Sequence, residues 1–88
     1  MKQKAFLKRL SENETNHYEY STDGNVGFVN IWKHKNKIIL TWEEFPPDCA
    51  FNEIAYTRDE RHVFNDVEEL FVFLNTQKIS CKHFEATD

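Results

Sequence analysis

The sequence predicts an α+β domain: an antiparallel meander of about four strands, with one C-terminal amphipathic helix packed on one face. Three observations predict it. Apolar and polar residues alternate through much of the stretch from His17 to Phe45, which is the period of a half-buried strand. Asp23-Gly24 and Lys35-Asn36 interrupt that alternation where hairpin turns are needed. Val67, Leu70, Phe71 and Leu74 then recur at i, i+3, i+4 and i+7, the stripe of a helix with one buried side. The 88 residues read as one domain spanning 1–88, because domains most often run to roughly 100–150 residues and independent folding becomes hard below about 40.

The elements follow in order. In residues 1–10, Phe6, Leu7 and Leu10 have helical spacing, but the same run also reads as an edge strand. The polar run SENETN is a turn. Tyr18 and Tyr20 alternate with polar neighbours in the first strand. In the next two strands, Phe28, Trp32, Ile38, Leu40 and Trp42 fall on even positions and Val29, Ile31 and Ile39 on odd ones, so both sides of the sheet carry apolar residues. Pro46 and Pro47 end the third strand, since proline has no N–H for a ladder. Residues 51–57 (FNEIAYT) read as a returning fourth strand with Ile54 and Tyr56 on one face. Asn65 is placed to cap the helix, and Asp66, Glu68 and Glu69 suit the positive end of its dipole. In the tail, Ile79, Cys81 and His83 have period two and read as an edge strand.

Composition narrows the function. Charged residues are 30% and hydrophobic residues 40% of the chain, which is globular rather than disordered. The formal charge is −4. Lys2, Lys4, Lys8 and Arg9 make the start basic, whereas 43–60 hold six acids against Arg58. An acidic balance opposes nonspecific nucleic-acid binding, which depends on phosphate neutralisation. It suits a partner with a basic surface. No apolar run reaches the length of a signal peptide's core or of a membrane span, so the cytoplasm is expected, with Cys49 and Cys81 as reduced thiols.

The stretch VGFVNIW (26–32) resembles the second half of the RNA-recognition-motif signature at Gly27, Phe28, Val29 and Ile31. The motif's basic residue and first Gly-aromatic pair are missing, and no helix separates the first two strands as that fold requires. Cys81-x-His83 supplies one metal-ligand pair where compact zinc sites use two, so no metal and no cofactor is expected. Glu43 and Glu44, as strand neighbours, point to opposite faces and cannot serve one bond as acid and base. An enzyme is not expected.

One helix covers one face of a sheet, so the second apolar face needs residues 1–10, a second copy or a partner to cover it. The expectation is a protein-binding module: a small inhibitor or regulator, of the immunity, antitoxin or anti-defence kind found in bacteria and phages, that docks on a larger protein. That class is a compositional analogy. Trp42, Glu43, Glu44, Phe45 and Asp48 are the candidate contact residues, because an aromatic anchor rimmed by charge favours interfaces. The alternatives are a nucleic-acid binder that stacks bases on Phe28 and Trp32 beside Lys33, Lys35 and Lys37, and a homodimer that closes the bare face on itself.

Overall fold

Two tight turns set the frame. In the computed structural model, which describes residues 1–86, Asp23 and Gly24 have φ of 46° and 80°, and Lys35 and Asn36 have 50° and 64°. Left-handed backbone at both central positions is the type I′ geometry, whose twist matches that of the flanking strands. The turns join β1 (Asn16–Thr22) to β2 (Asn25–His34) and β2 to β3 (Lys37–Phe45). Two-residue loops fix the register: Thr22 pairs with Asn25 and His34 with Lys37. β4 (Arg58–Phe64) pairs with β3, and the two-residue β5 (Glu85–Ala86) pairs with the start of β1. The sheet has five strands in the order β4-β3-β2-β1-β5.

The α+β architecture is as expected, with one strand more and with residues 1–10 resolved as helix. That helix, α1, spans Gln3–Ser11, and α2 spans Val67–Thr76. Both end in a left-handed residue, Asn13 (φ 60°) and Lys78 (φ 59°). The amides of Glu14 and Ile79 bond back to the carbonyls of Arg9 and Leu74, the Schellman closure that satisfies the last carbonyls. The cap of α2 is Asp66, one residue later than the Asn65 expected: its carboxylate accepts from the Glu69 amide at 2.9 Å. Asn65 instead donates its own amide to the Glu69 carboxylate, so the two residues share the cap.

Both helices lie on the same face. Phe6 and Leu10 of α1, and Leu70 and Leu74 of α2, share one buried cluster with Val29, Ile31, Ile38, Leu40 and Trp42. The Phe6 ring lies 6.0 Å from Phe71 and 5.3 Å from Phe84, which locks α1, α2 and the tail together. Asn16 is the buried polar residue of this side; its Nδ2 donates to the Phe6 carbonyl at 3.1 Å and its Oδ1 accepts from Arg9 Nε at 3.0 Å. A buried amide with both ends satisfied ties helix to sheet at little cost.

Three sequence expectations are corrected. The even-numbered residues of β2 do not share a face with those of β3. A two-residue turn makes partner numbers sum to an odd value, so Val29 lies opposite Trp42 and Ile31 opposite Leu40, while Phe28 lies opposite Glu43 and Trp32 opposite Ile39. The stretch 51–57 is not a strand. It holds a short 3-10 turn (Glu53–Ala55) with Ile54 fully exposed, and the fourth strand begins at Arg58. Cys81–His83 is likewise a 3-10 turn, in which His83 Nδ1 accepts the Ser80 amide at 3.1 Å.

Candidate functional site

The face that the helices leave bare is built of four cross-strand rows, two residues apart along each strand and so about 6.6 Å apart. The first is Trp32, Ile39 and Val63; the second is His17, Asn30, Thr41 and Arg61. The third is Glu19, Phe28, Glu43 and Asp59, and the fourth is Ser21, Val26 and Phe45. Neighbouring rings form a ladder through the last three rows: His17 and Phe28 at 5.7 Å, Phe28 and Phe45 at 5.7 Å, and Phe45 stacked on Tyr56 at 4.6 Å. Phe28, Trp32, Ile39, Phe45 and Val63 take no part in the helix-side core. Ile39 is hidden by its neighbours (4% exposed), whereas Val63 is 56% exposed and Phe28 and Trp32 are half-buried.

Charge on this face is uneven. Glu43 and Asp59 stand directly opposite one another with Glu19 across Phe28, and like charges in facing positions destabilise a sheet. Among the described residues neither Glu43 nor Asp59 makes an ion pair; Glu19 faces His17 Nε2 at 3.9 Å. The field reaches the neighbouring loop. Burial raises the Tyr56 hydroxyl above its ordinary pKa, and the Glu43, Glu53 and Asp59 carboxylates add to the shift. Tyr56 donates to the Ala50 carbonyl at 2.7 Å, which closes loop 46–57 on itself, and the Thr57 amide donates to the Glu44 carbonyl at 2.8 Å, which holds the loop to the sheet end. From that loop Phe51 and Ile54 project fully into solvent.

The five candidate contact residues are divided between two faces. Glu43 and Phe45 lie on the bare face, and Asp48 is exposed in the 3-10 turn that follows. Trp42 and Glu44 lie on the helix side. There Trp42 is 5% exposed, with the Arg58 guanidinium carbon 3.5 Å from its ring centroid and Phe73 edge-on at 6.4 Å. Trp42 Nε1 donates to Tyr20 Oη at 2.8 Å, which donates to Glu44 Oε2 at 2.9 Å. Arg58 Nε also donates to Glu60, whose other oxygen lies 2.8 Å from His62 Nε2. Trp42 is therefore a structural aromatic, and Trp32 is the tryptophan on the bare face.

Of the alternative set, Phe28 and Trp32 share the bare face, but their lysines do not gather round them. Lys33 has the helix-side parity, Lys35 sits in the turn, and Lys37 bonds to Asn65. Burial raises the Cys81 thiol, partly opposed by the nearby N-terminal ammonium. Among the described residues no three His, Cys, Asp or Glu side chains cluster as metal ligands, and no helix is long and apolar enough to cross a membrane. The residues that sequence reasoning missed are Glu19, Asp59 and Val63. The length of the turns was the signal that could have found Glu19, since register follows from it. Comparison with protein-family models, with curated proteins and with solved structures finds no match.

Proposed function

We propose that this protein is a non-enzymatic binding module, a small inhibitor or regulator that docks on a larger protein through the bare face of its sheet. The observation that supports the reading is the placement of both helices on one side, which leaves Val63 exposed and Phe28 and Trp32 half-buried on the other. Antiparallel sheets tolerate a solvated face when it is polar; an aromatic and aliphatic patch on such a face marks an interaction surface. The acidic row suits a partner with a basic surface. It also opposes a phosphate backbone beside Phe28, and it would set carboxylates near carboxylates in many face-to-face arrangements of two copies.

The test is affinity capture from the native host with the wild-type protein and with Val63→Lys, an exposed substitution that spares the core. A protein recovered by wild type and lost with Val63→Lys supports the reading. Equal recovery by both, or an oligonucleotide that binds with steep salt dependence, overturns it.

A further inference from the structure

We infer that the bare face is a two-point seat for an extended protein segment: a partner arginine lies against Phe28 among Glu19, Glu43 and Asp59, and an apolar side chain four residues along lies on Trp32 and Val63, with Ile39 buried beneath them. This rests on the docking reading above and names the partner's chemistry. The Phe28 row holds three carboxylates and one aromatic ring. A guanidinium satisfies both, since its plane stacks on an aromatic and its N–H fork bonds carboxylates. It also relieves the facing pair Glu43 and Asp59, which lack an ion-pair partner among the described residues. The Trp32 row lies two rows away on the same face, about 13 Å along the strands, and it is purely apolar. An extended chain covers that distance in four residues at about 3.3 Å each. Arg61 and His17 stand in the row between them. The Arg61 guanidinium disfavours a partner cation in that row.

The experiment is an amide-NMR titration of the full chain with three capped seven-residue peptides. One has arginine at position 2 and leucine at position 6 in a serine and threonine background, one has citrulline for the arginine, and one has serine for the leucine. Citrulline keeps the shape of arginine and removes its charge. The expected result is that the arginine–leucine peptide shifts the amides of Phe28, Glu43, Asp59 and Val63. Citrulline weakens binding about tenfold or more, and Glu43→Gln with Asp59→Asn causes a similar loss. Equal affinity for arginine and citrulline peptides overturns the arginine seat. So does the absence of any shift at millimolar peptide, or shifts confined to the helix side. A response at Trp32 and Val63 that is undiminished with the citrulline peptide would retire the arginine seat while leaving the docking face standing. Loss of host-protein capture by Val63→Lys judges that face separately.

Discussion

The Trp42 indole N–H donates to the Tyr20 hydroxyl at 2.8 Å, across a strand that lies between their own. Gly27 makes the crossing possible. A β-carbon built there would stand 2.1 Å from Tyr20 Cζ, so the ring occupies the space a side chain would need. Burial raises the Tyr20 pKa; the Trp42 N–H works the other way, and the Glu44 carboxylate raises it again.

Gly27→Ala should push the Tyr20 ring outward and cost about 1–3 kcal/mol in urea unfolding, the usual range for overpacking. Tyr20→Phe should cost about 1–3 kcal/mol by leaving the buried Trp42 N–H without its acceptor. Because both changes strike one contact, the alanine should cost much less in a Tyr20→Ala background, where no ring stands in its way. Equal cost in the two backgrounds would refute the crossing as the cause.

The two sides of α2 should respond very differently. Leu70 is fully buried and Val72 is 64% exposed. Leu70→Ala should cost about 2–5 kcal/mol through lost burial and a residual cavity, and Val72→Ser should stay within about 0.5 kcal/mol. Equilibrium unfolding of the two variants under one condition decides the matter.

Acid should weaken the array under Trp42. Desolvation opposes ionisation of Glu60, but hydrogen bonds and charge from His62 and Arg58 prevail and hold its carboxyl below the ordinary value. A carboxyl depressed in the folded state adds stability above its unfolded pKa and loses it as pH falls through the folded one. The urea midpoint of wild type should therefore decline below the ordinary carboxylate range, and Glu60→Gln should flatten that decline. An unchanged slope in the variant would remove Glu60 from the acid response.

Much of the fold was legible because it rests on local rules. The Asp23-Gly24 and Lys35-Asn36 turns, the Pro46 stop and the Leu70–Leu74 stripe each follow from backbone chemistry or period. The side of the sheet taken by each apolar residue needed one further step, since the two-residue turn couples even positions of β2 to odd positions of β3. Without that step Trp42 reads as a surface anchor; with it, Trp42 falls opposite Val29 on the helix side. Other features had no local signal. The stretch 51–57 has strand-like composition, yet Ile54 and Phe51 find no packing partner and the ladder resumes only at Arg58. Nothing in the helical spacing of Phe6 and Leu10 said which face they would cover. That depends on Asn16 and Phe84, distant in sequence, meeting Phe6.

A docking role requires one face of the sheet to be open in the free protein, and the two tryptophans report on the two faces. Acrylamide quenching of single-tryptophan proteins, Trp42→Phe to read Trp32 and Trp32→Phe to read Trp42, tests this directly. Trp32 should be quenched several-fold more efficiently than Trp42 at every protein concentration. Trp32 as protected as Trp42 in a dilute monomer would contradict it.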